Sequence, residues 1–257
     1  MGDTSKKKYK TGLVLSGGGT RGFAHLGALK ALEEHGIKPD IIAGVSAGSI
    51  VGALYADGEN AEEALKALTS QRLFGFLEFI MPRNSLVKMT GFEKTLRNKL
   101  KARKFEDLEI PLVIFAVNIN SAELIQFDKG DLVSAIMASS SIPVVFPPVK
   151  IGGQYYLDGG IINNFPVDMI REDCETVIGI NVNPIGEFKK IGSLKAIAER
   201  SFHITLRNQA NSKKDLCDIY IEPEGLDQYG LLDVSRAQEI FDLGYKEAKQ
   251  VLKDKGN

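Results

Sequence analysis

Short apolar runs alternate along this chain with stretches of helical period, and that alternation predicts the architecture before any chemistry is considered. The apolar run at 12–16 reads as a strand. The segment 21–35 follows as a helix with Ala24, Ala28, Leu29 and Leu32 on one face, stopped by Gly36. Pro39 and a second apolar run at 40–45 complete a strand–helix–strand unit, whose two strands are expected to lie parallel with both following turns at one edge of the sheet. A helix over 46–56 comes next. Asn60, with Glu63 three residues on, has the spacing of an N-cap and opens a short helix that runs through 70.

Further along, 92–102 has helical period, 111–120 and 122–128 read as paired strands, and 131–141 as a helix starting at Asp131. Gly152-Gly153 marks a hairpin turn. A buried strand at 176–182, a helix at 192–210, a strand at 217–223 and a closing helix at 235–253 finish the pattern. Helices and strands alternate without repeats or low-complexity linkers, so the expected fold is one α/β domain over 11–257: a three-layer α/β/α sandwich around a largely parallel, mixed sheet. Residues 72–91 break the regularity by mixing bulky apolar side chains with Gly75, Pro82 and Gly91, which makes them a candidate lid.

Composition narrows the function classes. The 32 basic and 33 acidic side chains among 257 residues leave a net charge of −1, so no global field draws this protein to nucleic acid. Residues 1–10 are expected to form a flexible basic N-terminus; "MGDTSKKKYK" has no apolar core for a secretory signal and no myristoylation pattern, which points to the cytoplasm. The weakly charged run at 41–56 is too short to cross a bilayer and reads as a strand turning into a buried helix. Cys174 and Cys217 form no CxxC motif, and His25, His35 and His203 have no metal-ligand spacing, so no metal, disulfide or cofactor is expected.

Two glycine-rich turns carry the chemistry. Gly17, Gly19 and Gly22 satisfy GxGxxG between a strand and a helix, the dinucleotide fingerprint. That reading needs an acidic residue at the far end of the second strand, yet Asp40 stands at its beginning, and no Walker lysine is present. The second strand instead runs into Gly44-Val45-Ser46-Ala47-Gly48, a GxSxG nucleophile elbow in which flanking glycines clear space around an exposed serine hydroxyl. With parallel neighbouring strands, the glycine loop faces Ser46. The backbone N–H groups of Gly18 and Gly19, with Thr20, then become candidate donors to the oxyanion formed when Ser46 attacks an acyl carbon, an interaction worth roughly 2.7 to 4 kcal/mol per donor in the transition state. Arg21 has two readings, support for the loop or contact with an anionic substrate.

The serine needs a base, and the sequence offers two. His203 follows Ser46 and Asp158 in hydrolase order, although it lies within an amphipathic helix; alternatively Asp158, at the end of a strand and before Gly159-Gly160, acts alone. Taken together, Gly17-Gly18-Gly19-Thr20-Arg21-Gly22, Gly44 to Gly48, Asp158-Gly159-Gly160 and the block "ASSSIPVVFPPV" at 138–149 resemble the motifs of the patatin-like phospholipases, compact bacterial members above all. The resemblance covers nearly the whole chain. It implies a Ser46–Asp158 dyad without histidine, an oxyanion hole in the loop from Gly17 to Gly22, elbow glycines at 44 and 48, support for the aspartate from Gly159 and Gly160, and a phospholipid or other acyl-ester substrate. His25 reads as a helix-packing residue, and Asn163 and Asn164 as candidates for holding the loop after the aspartate. Phe74, Phe76, Leu77, Phe79, Ile80 and Met81, flanked by Arg72 and Arg83, suit either a core or a peripheral membrane contact.

Overall fold

The apolar runs read from the sequence become the centre of one twisted sheet. In this computed structural model residues 7–69, 90–143, 145–186, 194–230 and 234–255 are described. The strands are β1 (Tyr9–Leu15), β2 (Ile41–Gly44), β3 (Leu112–Asn118), β4 (Glu123–Phe127), β5 (Val149–Ile151), β6 (Gln154–Asp158), β7 (Cys174–Ile180) and β8 (Ile219–Ile221). The helices are α1 (Phe23–Glu34), α2 (Ala47–Ala56), α3 (Ala61–Thr69), α4 (Thr90–Lys99), α5 (Leu132–Ser139), α6 (Leu194–Asn211) and α7 (Ala237–Lys255). Hydrogen-bonded neighbours run β5-β6-β3-β2-β1-β7-β8, and β4 pairs with β3 along the edge opposite both β2 and β6. The five strands from β3 to β8 in that order are mutually parallel, while β4, β5 and β6 add antiparallel pairings, so the sheet is mixed and mostly parallel as expected.

Residues that alternate along a strand point to opposite faces. Leu13 and Leu15 therefore join the larger core with α1, α2, α3, α5 and α7, whereas Val14 joins a smaller core with Phe115, Phe165, Val167, Ile170 and Ala210 of α6. The two helical layers are unequal. Among the described residues one face carries six helices, α1 to α5 and α7, and the other is covered by the 3₁₀ turns of 167–173 and one end of α6. The helices α1 and α7 pack most closely at Gly27 and Gly244, where a side chain on either would run into the backbone of the other helix.

Local signals in the sequence terminate these elements as anticipated. Gly36, at φ 68, closes α1 with its amide on the Glu33 carbonyl and that of Ile37 on the Leu32 carbonyl, the two bonds of a Schellman cap. Asn60 and Glu63 form a reciprocal capping box at α3, and the Asp131 carboxylate accepts the Ser134 amide at 2.7 Å to start α5. Element boundaries differ by a few residues, and two of the differences are informative. β1 begins at Tyr9, so Tyr9 and Lys10 belong to the sheet rather than to a basic tail, and a 3₁₀ turn over Gly19–Gly22 precedes α1. Of the candidate lid, Thr90 and Gly91 open α4; the remainder, including Phe74 to Met81 and both flanking arginines, lies outside the described residues.

One feature of β3 positions the site. Ile114 pairs with Gly44 of β2 and with Phe127 of β4, so β2 and β4 lie on opposite edges of β3; Ala116 pairs with Ile125 of β4 and with Asp158 of β6, so β6 lies opposite β4 as well. β2 and β6 consequently share one edge and run toward each other, ending two β3 residues apart, about 7 Å at strand spacing.

Candidate active site

Ser46 stands just past the end of β2, where the chain turns from strand to helix. Its backbone, at φ 53 and ψ −121, is in a region that non-glycine residues seldom adopt and that costs of order 1–3 kcal/mol. The neighbourhood holds it there from both sides. The Ser46 amide donates to the Ser139 hydroxyl at 2.9 Å, while the Ser46 carbonyl accepts from the Ser49 hydroxyl at 2.6 Å and from the Ser49 amide at 2.9 Å. A Cβ on Gly44 would lie 2.6 Å from the Gly48 carbonyl oxygen, and one on Gly48 would enter the Leu15 carbonyl, so both elbow glycines are required by space.

Asp158 reaches the same point from β6. Its amide is held by the Ser141 carbonyl at 3.0 Å and its Oδ1 accepts the Gly160 amide at 2.8 Å, while the Ser46 hydroxyl lies near enough to its carboxylate to pull the pKa down. A side chain on Gly159 would strike the Phe115 carbonyl, which is what lets this turn press against β3. The carboxyl group is 2 % exposed. Burial pushes its pKa up to about 6, against the opposing pull of the hydrogen bonds from Ser46 and Gly160.

The glycine loop closes the third side. A Cβ on Gly17 would sit 3.0 Å from the Ser46 Cβ, which measures how tightly the loop abuts Ser46. The Gly17 amide donates to the Asn164 carbonyl at 3.3 Å, and the Gly17 carbonyl accepts from the carboxamides of Asn183, at 2.6 Å, and Asn164, at 3.3 Å. In a trans peptide the C=O and the next N–H point in opposite directions, so this double clamp also aims the Gly18 amide. The Arg21 amide bonds the Gly18 carbonyl at 3.2 Å, whereas the amides of Gly18, Gly19 and Thr20 donate to no acceptor among the described residues. Those three N–H groups are the loop's candidate donors to a bound negative charge.

Arg21 takes the supporting role of its two readings. Buried at 2 % exposure, it donates from Nε to the Tyr229 carbonyl at 3.0 Å, and the Thr20 hydroxyl donates to the Gly230 carbonyl at 2.6 Å, tying the glycine loop to the turn after β8. His25 lies beneath the loop with its Nε2–H on the Ser16 carbonyl at 2.8 Å, and burial lowers its pKa to about 4. His203 is in α6. Its Nε2 has no hydrogen-bond partner among the described residues, and burial, with Arg21 and Arg200 nearby, lowers its pKa to about 4. Asp40 accepts the Thr11 amide at 2.7 Å at the opposite end of β1 and β2. It is far from where a ribose-binding acid would have to be.

Ser139, Asn183 and Gln209 are site residues that sequence reasoning missed. Gln209 accepts the Asn164 amide at 2.6 Å, and Asn163 donates to Asp168 at 3.1 Å within the loop after the aspartate. No periodicity signals these polar positions, although Ser139 lies within the block at 138–149 that carried part of the family resemblance. Cys174 and Cys217 are free, with both thiols pushed up in pKa by burial.

A family model described as "Patatin-like phospholipase" matches residues 13–171, the span that holds the glycine loop, the elbow and Asp158. The chain belongs to this family. Over 93% of its length, the patatin-like chain is 29% identical to patatin-like phospholipase domain-containing protein 6 of Mus musculus. It is 28% identical over 95% to lysophospholipase NTE1 of Candida albicans. It spans about a fifth of each of those proteins, 20%. Among solved structures, VipD from Legionella pneumophila shares the fold at a TM-score of 0.59 and 16% identity, covering 96% of this chain and 67% of that one.

Proposed function

We propose that this patatin-like chain is a serine lipid acyl hydrolase that cleaves a carboxylic ester of a phospholipid or lysophospholipid through a Ser46–Asp158 dyad. The observation that carries the reading is the Ser46 hydroxyl facing a buried carboxylate, beside three amides that have no acceptor among the described residues. As Ser46 Oγ attacks the acyl carbon, Asp158 takes its proton; the oxyanion lies against the Gly18, Gly19 and Thr20 amides, and protonated Asp158 gives the proton to the departing alcohol. Water then loses a proton to Asp158 and attacks the acyl-enzyme, after which the proton returns to Ser46. A carboxyl pKa near 6 suits both halves of that cycle, because the group is mostly ionised at neutral pH and still basic enough to accept a proton.

The lipid substrate is proposed from family membership, and from the relative named a lysophospholipase. Peripheral contact with a membrane and a cytoplasmic location are part of the same proposal; among the described residues no helix is long and apolar enough to cross a bilayer. An active-site-directed fluorophosphonate provides the test. Stoichiometric labelling that is lost in Ser46→Ala supports a serine hydrolase, and absence of labelling on folded protein rejects it in favour of a lipid-binding protein. Hydrolysis of an ester series of increasing acyl length then separates a lipid hydrolase from a soluble esterase or thioesterase, which would prefer the shortest acyl groups.

A further inference from the structure

Ser139 lies at the last turn of α5, fully buried, with no contact with solvent or access to a substrate. A serine there is not needed by the helix, since hydroxyls lower helix propensity and a buried one requires partners. Both its hydrogen-bonding functions are used on the site. The hydroxyl donates to the Phe115 carbonyl at 2.7 Å and accepts the Ser46 amide at 2.9 Å. Phe115 is in turn the residue whose carbonyl meets the turn at Gly159, immediately after Asp158. Two residues along from Ser139, the Ser141 carbonyl holds the Asp158 amide at 3.0 Å. The end of α5 therefore touches the nucleophile backbone through a side chain and the carboxylate backbone through a carbonyl.

We propose that Ser139 is a positioning residue for the acyl transfer: its hydroxyl locks the uncommon backbone of Ser46 to β3, so that the Ser46 oxygen points at Asp158. The inference rests on the dyad reading above. Without the hydroxyl, the Ser46 amide loses its acceptor, and the elbow gains freedom to rotate away from its left-handed conformation. Ser46 would then spend less time in reach of its base.

The test compares Ser139→Ala with wild type by the second-order rate of fluorophosphonate labelling and by steady-state kinetics on a short-chain ester. One lost hydrogen bond at this junction corresponds to about a tenfold fall in kcat and in labelling rate. KM should be unchanged, and the midpoint of the acid limb should move only upward, because a Ser46 hydroxyl that has swung away no longer pulls the Asp158 pKa down. Ser139→Thr, which keeps the hydroxyl but adds a methyl to a full site, should lose melting temperature yet recover kcat to within about threefold. If the threonine variant does not fold, Ser139→Cys serves instead and should fall between alanine and wild type, its thiol being a weak donor and acceptor. Labelling of Ser139→Ala at the wild-type rate, or a loss carried wholly by KM, overturns the proposal. Wild type that is not labelled at all overturns the hydrolase reading first, and this inference with it.

Discussion

Ser46 sits at φ 53 and ψ −121 between glycines at 44 and 48, whereas Asp158, followed by glycines at 159 and 160, sits at φ −49 and ψ 130, an ordinary extended backbone. The proposed nucleophile is set by conformation: a strained turn, clamped by Ser139 and Ser49, holds the Ser46 backbone. The carboxylate is prepared by environment: burial raises its proton affinity while Ser46 and Gly160 orient it. A hydroxyl needs to be aimed, because its own pKa lies far above neutral wherever it is placed. A carboxylate needs to be desolvated, because in water it is too weak a base. Two neighbouring Gly-containing turns thus serve different physical ends, one to permit a backbone conformation and the other to permit close approach.

The strongest way to break this comparison is to remove each partner. Ser46→Ala and Asp158→Asn should each lower kcat by about a thousandfold or more with KM little changed, measured on any ester that wild type hydrolyses. Residual turnover of Asp158→Asn within tenfold of wild type would remove the carboxylate from the chemistry. Gly48→Ala tests the conformational half alone. Its methyl would enter the Leu15 carbonyl, so the variant should lose about 1 to 3 kcal/mol in denaturant unfolding along with fluorophosphonate labelling.

The environmental half has a signature in pH. A carboxyl whose pKa is about 6 folded and about 3.9 unfolded binds more protons in the folded state between those values, so folding stability falls as pH rises through that window. Asp158→Asn should therefore be more stable than wild type at pH 7.5, by up to about 3 kcal/mol, and the gain should vanish below about pH 4. Wild-type kcat/KM should rise with pH around 6 as the base ionises. A variant no more stable at pH 7.5 would mean that burial is not what sets the base.

Smaller effects sharpen the picture. Asn183→Ala removes the shorter of the two clamps on the Gly17 carbonyl and should lower kcat about tenfold through misdirection of the Gly18 amide, with Asn164 holding the remainder. His203→Ala should leave kcat within about threefold, because its imidazole is kept neutral by burial and nearby arginines, with its Nε2 unpaired. A loss as large as that of Asp158→Asn would restore the triad reading instead.

Most of the fold was legible because its signals are local. The run at 12–16, the alternating cores of Leu13, Val14 and Leu15, the cap at Gly36 and the box at Asn60–Glu63 depend on neighbours a few residues away. The elbow and the glycine loop were legible for a similar reason, since each is a strand-to-helix turn whose residue types reflect its own geometry. Less legible were the places where one glycine serves a distant backbone, such as Gly27 against α7, and the buried polar residues that stabilise the site from elsewhere in the chain.

By itself, the order of residues singled out the side chains proposed to carry the chemistry and determined that the two βα turns share an edge of the sheet. Only the folded chain decided that β6 meets β2 head to head along β3, that Asp158 is dry enough to be basic, and that Ser139 and Asn183 reach into the site. Those outcomes depend on partners up to 166 residues apart, Asn183 on Gly17 among them. Hydrogen bonding and desolvation over such separations are properties of the packed interior, and no local pattern encodes them.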